Sequence, residues 1–299
     1  MVSQMTMPSA RCGLVCIKDQ YQRCTSVQGY IGMTQCLRMK LSLEKEYKVS
    51  RSPSNLSQYS MMQPLVLYDI LSELPGNNFS PNPAKPRFVL SYKDLPFVTL
   101  WVEYSDISIA MKAIGGKSSK RQDGSDVYTI PVLSDPNTGA VITDSLEIAS
   151  YLEKTYPEKP IFPNSSESLI RAFDSDYLSL IRPAVKSIFT RSVEILSPAS
   201  AKFFIEVRSQ DIPLPWDANY DEDWDLLEKG YNTAYEWYQK TDGKWIMGDT
   251  FSYADIVVAC WLLWCKRVMK EEEWVRISSW NGGKWVQVLA DVEKECKLA

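Results

Sequence analysis

The sequence of 299 residues contains no histidine. This absence excludes Ser-His-Asp triads and histidine general acids, and it argues against nearly every catalytic zinc site. The seven cysteines have neither the spacing of a metal site nor that of a C-x-x-C redox pair, so we predict free thiols and no bound metal. The longest apolar run, residues 256–265, has about half of the ~20 residues that a membrane span requires.

The sequence also has little excess charge. Its net charge is -4, which gives no reason to expect a polyanionic partner such as nucleic acid. The first residues contain no apolar stretch of the kind that a secretory signal requires, and free thiols are typical of a reducing compartment. We therefore expect a cytoplasmic protein whose partners are neither nucleic acids nor membranes. The length is enough for two ordinary domains, each with its own core.

Residues 1–60 differ from the rest of the chain. They contain eight Lys or Arg against three acidic residues, a surplus of five positive charges. Apolar periodicity is poor there, so we interpret this segment as a disordered extension. The first 43 residues hold one acid and several arginines. That composition weakly resembles a mitochondrial transit peptide, which is the alternative to a cytoplasmic location.

Residues 61–156 alternate between strand and helix patterns. The predicted elements are strands at 65–69, 97–103, 129–133 and 140–143, and helices at 85–92 and from residue 144 onward. A helix separates the first two strands, so we expect them to be parallel, whereas residues 134–139 form a turn that permits only an antiparallel hairpin. The stretch from Asp144 to Glu147 matches a capping box at the start of the last helix.

After residue 156 the pattern changes. A proline-rich stretch, residues 157–164, marks a linker, and residues 165–299 contain only helical patterns. The predicted helices cover residues 169–186, 201–208, 223–239, 253–270 and 283–295. Ser252 and Asp255 form a second capping signal ahead of a helix that is apolar all round, which indicates a helix buried at the centre of a bundle.

Three motifs in this order resemble those of the glutathione transferases. They are the X-Pro step that opens the third strand, Ile130-Pro131, the acid-Ser pair Asp144-Ser145, and the capped, buried helix that Ser252 opens. Stretches such as "LPGNNFSPNPAK" and "SWNGGKW" look most like the fungal-specific class related to bacterial lignin β-etherases and to the yeast nitrogen-regulator transferase homologue. The resemblance covers the chain from about residue 65 onward. It implies an α/β thioredoxin-like N-terminal domain followed by an all-α helical-bundle C-terminal domain.

The resemblance assigns glutathione to the X-Pro step and to the acid-Ser pair. A cis Ile130–Pro131 bond would turn the backbone of Ile130 away from a neighbouring strand, so that the cysteinyl part of glutathione can pair with it as an added strand. Ser145 lies at the positive end of a helix and suits the γ-glutamyl carboxylate, while Asp144 can face the adjacent ammonium. An ordinary helix cap explains Asp144 equally well, and one residue can serve both purposes.

The resemblance further implies that a side chain near the start of the first helix ionises the thiol. Ser80 occupies that position, and Asn82 either supports it or caps the helix. Tyr68 is the rival, although it alternates with leucines in an apolar strand and fits the core better. No cysteine lies between residues 36 and 260, which disfavours a mechanism that passes through a mixed disulfide.

Basic residues in the loop before the third strand are candidates for the glycyl carboxylate of glutathione. They are Lys117, Lys120 and Arg121, and for each a solvated basic loop is an equally good reading. The second substrate should lie in the cleft between the two domains. Tyr177 is our candidate there, among the aromatic residues of the helical domain, which also include Phe173, Trp216, Tyr220 and Trp224.

The function implied by the resemblance is that of a glutathione transferase. The thiolate of glutathione attacks a hydrophobic or aromatic electrophile, with glutathione as co-substrate, no further cofactor and a homodimeric assembly. One alternative is glutathione-dependent cleavage of an ether or thioether. The other is a non-catalytic protein that binds hydrophobic aromatic compounds.

Overall fold

The computed structural model describes residues 62–298 apart from residues 122, 183–184, 211 and 217–220. The extension predicted over residues 1–60 lies outside the described residues. The first part of the described chain is an α/β unit. Its elements are β1 (Leu65–Ile70), α1 (Pro81–Tyr92), β2 (Phe97–Val102), α2 (Ile107–Ala113), β3 (Ser119–Lys120), β4 (Asp126–Val127), β5 (Val132–Asp135), β6 (Ala140–Thr143) and α3 (Ser145–Thr155).

Four strands form the main sheet in the order β2-β1-β5-β6. β1 runs parallel to β2 across the intervening helix, and β5 and β6 form an antiparallel hairpin, so both predicted pairings are confirmed. All six residues of β1 are buried, because other strands flank it on both edges and α1 packs against it. The β3–β4 hairpin stands apart from this sheet, and its two-residue strands are too short for a sequence pattern to reveal.

Helix α1 begins at Pro81, earlier than predicted. Pro81 and Pro83 occupy the first turn, where backbone N–H groups have no partner within a helix in any case, so neither weakens it. Pro86 lies inside the helix and removes the hydrogen bond that would reach the carbonyl of Asn82. The prolines concealed the helical pattern, and the corrected start makes Ser80 the residue immediately before the first turn.

Helices make up the second part of the described chain. They are α4 (Glu167–Ile181), α5 (Val185–Glu194), α6 (Pro198–Arg208), α7 (Asp221–Tyr238), α8 (Tyr253–Val268), α9 (Glu271–Ser279) and α10 (Lys284–Glu295). The thioredoxin-like unit followed by a helical bundle confirms the fold expected from the sequence. Among the described residues, no helix combines the length and the apolarity that a bilayer span requires.

Two of these helices differ from the sequence prediction. The helix predicted over residues 169–186 is divided into α4 and the start of α5, and α9 was not predicted. α5 buries Arg191 and Ser192, which are polar. Arg191 donates to Glu273 of α9 (2.7 Å) and Ser192 accepts a hydrogen bond from the indole of Trp264 (3.0 Å). Because polar groups that satisfy one another fill part of this interface, the apolar periodicity is weak and the pattern does not reveal the helices.

Helix α8 forms the centre of the bundle, and all of its residues up to Cys265 are buried. The predicted cap is present. One carboxylate oxygen of Asp255 accepts from the backbone N–H of Ser252 (3.0 Å), and the other accepts from that of Ile246 (2.9 Å). Burial raises the pKa of Asp255 to about 6, although the N–H groups that bind it act in the opposite direction.

Replacing Asp255 by Ala leaves two buried N–H groups, those of Ile246 and Ser252, without an acceptor. We expect the free energy of unfolding at pH 7 to fall by about 2–6 kcal/mol, because each of the two unsatisfied buried groups costs about 1–3 kcal/mol. Equilibrium urea unfolding measures this change. Asp249→Ala is the control, because Asp249 is exposed in the turn before the cap. Equal losses in the two variants would contradict the capping role.

The stability of the wild type and that of Asp255→Ala should depend differently on pH. The folded-state pKa of Asp255 lies above its ordinary value of 3.8, so folding favours the protonated acid. The stability that this group contributes is therefore complete below about pH 4 and declines as the pH rises towards 6. The difference in unfolding free energy between wild type and Asp255→Ala should shrink over that interval. A difference that grows would show that the carboxylate is stabilised in its charged form.

Candidate functional site

One row of paired residues runs across three strands of the main sheet, near the C-terminal end of β1. Tyr68 of β1 pairs with Val132 of β5, and Val132 pairs in turn with Thr143 of β6. Three segments leave the sheet beside this row: residues 71–80 after β1, residues 130–131 before β5, and residues 144–145 after β6. The pairing of the strands therefore brings together motifs that are far apart in the sequence. We refer to residues 130–131 and 143–145 as the sheet corner.

The Ile130–Pro131 peptide bond is cis, as predicted. The ladder between β1 and β5 ends at Val132, so Ile130 lies beyond it. The carbonyl of Pro131 accepts a hydrogen bond from the backbone N–H of Asp144 (3.3 Å), which joins the two halves of the sheet corner. Within the described ranges, neither backbone group of Ile130 has a hydrogen-bond partner, so both can pair with an extended peptide.

Asp144 caps α3 and keeps one carboxylate oxygen unused. Its Oδ1 accepts from the backbone N–H groups of Leu146 (2.8 Å) and Glu147 (3.2 Å), whereas its Oδ2 has no partner in the part of the chain that the structure describes. The predicted capping box is only half formed, because the carboxylate of Glu147 pairs with Arg171 (2.8 Å). Asp144 has a φ of 85°, and backbone strain of this kind, of order 1–3 kcal/mol, is typical of binding sites.

Ser145 is the first residue of α3, and it is buried. A helix N-terminus presents free N–H groups and the positive end of the helix dipole, so this position can hold a carboxylate. The carbonyl of Ser145 accepts a hydrogen bond from the hydroxyl of Tyr253 (3.3 Å), the first residue of α8. Burial is the main cause of the raised pKa of Tyr253, and nearby Asp174 adds to it. The phenol therefore keeps its proton and ties the sheet corner to the helical bundle.

Lys117 lies next to the sheet corner. Its backbone N–H donates to Oγ1 of Thr143 (3.0 Å), and its side chain is exposed. Lys120 pairs instead with Asp126 (2.9 Å) within the β3–β4 hairpin, and Arg121 follows it in the same hairpin. Of the three basic candidates, Lys117 is the one that a hydrogen bond attaches to the corner.

Ser80 precedes the first turn of α1 with an extended backbone, and it is partly exposed. Its hydroxyl makes no capping bond and has no partner among the described residues, so it can donate to a ligand. Pro81 and Pro83 have no N–H, which leaves Asn82, exposed on the first turn, as the residue whose N–H the helix start can offer there. Tyr68 is 3% exposed and belongs to the core, as its alternation with leucines predicted.

Tyr177 does not lie on the wall of a cleft. Its side chain has no exposed surface and stacks on Phe173 with 5.9 Å between the ring centroids. Burial raises the pKa of its phenol, and the residue is part of the core of the helical bundle. The assignment of Tyr177 to the second substrate is therefore corrected to a core position, because the inward face of α4 needs large apolar rings. Tyr220 lies outside the described residues.

Aromatic side chains do meet where the two parts of the chain join. Phe189 of α5 contacts Phe204 of α6 (5.2 Å between ring centroids) and Trp216 (5.4 Å). Tyr104, which follows β2, contacts Phe204 edge to face (5.1 Å). We call these four residues the Phe189 cluster. Phe189 and Trp216 are partly exposed, and the guanidinium of Arg208 lies over the rings of Phe189 (5.7 Å) and Phe204 (5.8 Å).

Sequence reasoning missed two residues that hold the sheet corner, Thr143 and Tyr253. A threonine at the end of a strand carries no distinctive signal. Tyr253 follows a recognisable cap, but nothing in the sequence indicates that its hydroxyl reaches α3. In the described part of the chain, no group of side chains is arranged to hold a metal ion.

The fold, a thioredoxin-like α/β unit followed by a helical bundle, defines the class of protein to which this chain is similar. A family model described as the N-terminal domain of glutathione S-transferase matches residues 74–160, and a model of the C-terminal domain matches residues 168–294. Both parts of the described chain are therefore covered by the same family.

Individual relatives agree with this result. One relative is the glutathione S-transferase CsGST63524 of Ceriporiopsis subvermispora, whose crystal structure is in complex with glutathione. Its sequence is 34% identical to this chain and the TM-score is 0.73. The match covers 78% of this chain and 98% of that one. Glutathione transferase GSTFuA3 of Phanerochaete chrysosporium is 32% identical, with the same TM-score of 0.73 and the same coverage of 78% and 98%. The glutathione S-transferase-like protein ustS of Aspergillus flavus is 26% identical over 244 residues, 74% of this chain and 87% of that protein. The chain belongs to the glutathione transferase family.

Proposed function

We propose that this protein is a glutathione transferase of the serine type, in which Ser80 stabilises the thiolate of bound glutathione. The thiol releases its proton to solvent, the sulfur attacks an electrophilic carbon of a hydrophobic or aromatic molecule, and the leaving group departs with its electron pair. The observation that carries the proposal is the row from Tyr68 through Val132 to Thr143. This row supports the proposal because it brings the start of the loop that leads to Ser80 to the same end of the sheet as the sheet corner.

Each part of glutathione has a matching group at this site. The γ-glutamyl ammonium would face the unused Oδ2 of Asp144, and the γ-glutamyl carboxylate would lie at the N-terminus of α3 beside Ser145. The cysteinyl backbone would pair with Ile130, and the glycyl carboxylate would meet the exposed ammonium of Lys117. Asn82 is proposed to support the thiolate through its backbone N–H. The glutathione named in the Ceriporiopsis subvermispora structure supports this ligand.

The energy that Ser80 has to supply is within the reach of one hydroxyl. A free thiol has a pKa of about 8.5, and lowering it by about two units takes roughly 2.7 kcal/mol. A hydrogen bond to a charged group contributes about 1.5–3 kcal/mol. Since two of the first three residues of α1 are prolines, the helix start offers few N–H groups to the sulfur, and the hydroxyl of Ser80 has to supply most of this energy.

We further propose that the protein belongs to the fungal-specific class. The relatives from Ceriporiopsis subvermispora, Phanerochaete chrysosporium and Aspergillus flavus support this assignment. The second substrate would then be a hydrophobic or aromatic electrophile that lies against the Phe189 cluster.

Product analysis with an aryl ether separates conjugation from glutathione-dependent ether cleavage. Conjugation gives a product in which the sulfur of glutathione is bonded to the substrate carbon, whereas reductive cleavage releases a phenol and oxidised glutathione.

Ser80→Ala should move the acid limb of the pH–rate profile upward by about one to two units and slow turnover near neutral pH by about 10- to 100-fold. Binding of glutathione should barely change, because the contacts at the sheet corner remain. A series of kcat/KM values between pH 5.5 and 8.5 tests this, with Ser91→Ala as the matched control at the other end of α1. Identical profiles for wild type and Ser80→Ala would remove Ser80 from the mechanism and leave the backbone N–H of Asn82 as the remaining candidate.

Asp144→Asn should weaken the binding of glutathione by about 10- to 100-fold, because a charge-assisted hydrogen bond to the ammonium is lost. The melting temperature should stay nearly constant, since Asn caps helices as well as Asp does and tolerates a positive φ. Isothermal titration calorimetry measures the affinity. Glu147→Gln is the control. It removes a carboxylate from the same helix start, but that carboxylate pairs with Arg171. Equal affinity in Asp144→Asn and wild type would refute the role of Asp144.

We also propose that the protein forms a homodimer, as the family resemblance implies. Leu169 of α4, 76% of whose surface is exposed, is our candidate for a contact between the two copies. Light scattering should give twice the mass of the chain, and Leu169→Lys should shift the mass towards that of the monomer. A wild-type protein with the mass of the monomer at micromolar concentration would contradict the proposal.

A further inference from the structure

The loop that carries Ser80 is held by a side chain from the other part of the molecule. Arg267 lies near the C-terminal end of α8 and reaches across to residues 71–80. Its Nε donates to the carbonyl of Asn78 (2.9 Å), and its Nη2 donates to the carbonyl of Pro75 (2.5 Å). Asn78 lies two residues before Ser80, so this contact acts close to the proposed catalytic hydroxyl.

The loop needs such a support, because it contains no regular secondary structure. Gly76 and Asn77 both have positive φ angles, which turn the chain sharply. The hydroxyl of Ser72 donates to the carbonyl of Asn77 (2.6 Å), and the N–H of Asn78 bonds to the carbonyl of Gly76 (2.6 Å). These bonds shape the loop internally, but they do not fix its position on the rest of the molecule.

Hydrogen bonds near both ends of the loop attach it to the helical bundle. At its beginning, the N–H of Glu73 donates to the carbonyl of Ile195 (2.8 Å), which follows α5. At its end, the guanidinium of Arg267 holds the carbonyl of Asn78 just before the buried ring of Phe79. An arginine suits this position because its planar group donates in two fixed directions and stays charged at every relevant pH.

We propose that Arg267 is a positioning residue for thiolate activation, which acts by fixing the place of Ser80 relative to the sheet corner. This inference rests on the proposed function of Ser80. A hydroxyl stabilises a thiolate only while it points at the sulfur, and displacement of a positioned group by about 1 Å can reduce rates by about 100-fold. Loss of Arg267 would leave the glutathione-binding groups of the sheet corner unchanged and move only the loop. It should therefore change the pKa of the bound thiol and leave the affinity for glutathione as it was.

The variants are Arg267→Ala, Arg267→Lys and, as matched control, Lys266→Ala. Lys266 is the preceding residue on the same helix end, it is exposed, and its ammonium lies 3.8 Å from Glu293 rather than near the loop. The lysine variant keeps the positive charge but not the forked geometry. Two readouts are taken on full-length protein. Ultraviolet difference absorbance titrates the thiolate of bound glutathione, and hydrogen exchange follows the amides of residues 76–80 without ligand.

We expect Arg267→Ala to raise the pKa of the bound thiol by about one unit, which corresponds to about tenfold less thiolate in the acidic range. Exchange of the loop amides should speed up about tenfold or more, while the amides of Leu146 and Glu147 keep their rates. The affinity for glutathione should change by less than about threefold. Arg267→Lys should recover part of both effects, and Lys266→Ala should match wild type in both.

A purely structural role would give a different result. Faster loop exchange or a lower melting temperature with an unchanged thiol pKa would overturn the proposal, and so would unchanged exchange in Arg267→Ala. If the thiol bound to wild type has the pKa of free glutathione, the proposed role of Ser80 fails first, and the positioning role falls with it. That failure is recognised in wild type alone, before any variant is compared.

Discussion

The register of β5 between β1 and β6 is the constraint on which the rest of this site depends. Tyr68, Val132 and Thr143 lie side by side across three strands, and the three segments that carry the candidate residues leave the sheet at this row. A slip of one residue would turn the side chains of a strand to the opposite face of the sheet. It would also separate Asp144 from the carbonyl of Pro131, to which its N–H now donates. The register of these three strands therefore determines which residues meet at this end of the sheet.

The helical bundle is part of this site as well as a neighbour of it. Tyr253 donates to the carbonyl of Ser145, and the guanidinium of Arg267 holds the loop before Ser80. A further link joins α1 to α4, because the buried ammonium of Lys85 pairs with Asp174 at 2.9 Å. Removing one partner would leave the other charge buried and uncompensated, so this pair ties α1 to α4. The bundle thus holds Ser145 and the loop before Ser80 in place, although both belong to the α/β unit. In our proposal, its aromatic residues also face the second substrate.

The features that the sequence predicted well are those encoded locally. Short runs of apolar and β-branched residues predicted the strands, the turn at residues 134–139 predicted the hairpin, and the spacing of Ser252 and Asp255 predicted the cap of α8. The features it did not predict depend on distant partners. α5 and α9 share buried ionic contacts such as the one from Arg191, and no single segment shows them. The aromatic content of the bundle did not distinguish core rings such as Tyr177 from surface ones, because burial is decided by tertiary packing.

The most direct test of this account is a crystal structure of the protein with glutathione bound. We predict that the sulfur lies within about 3–3.5 Å of Oγ of Ser80, as a hydrogen bond requires. The cysteinyl backbone should pair with Ile130, and the γ-glutamyl ammonium should face Oδ2 of Asp144. A tripeptide bound elsewhere, or one whose sulfur points away from Ser80 while the rest occupies the sheet corner, would contradict the proposed mechanism.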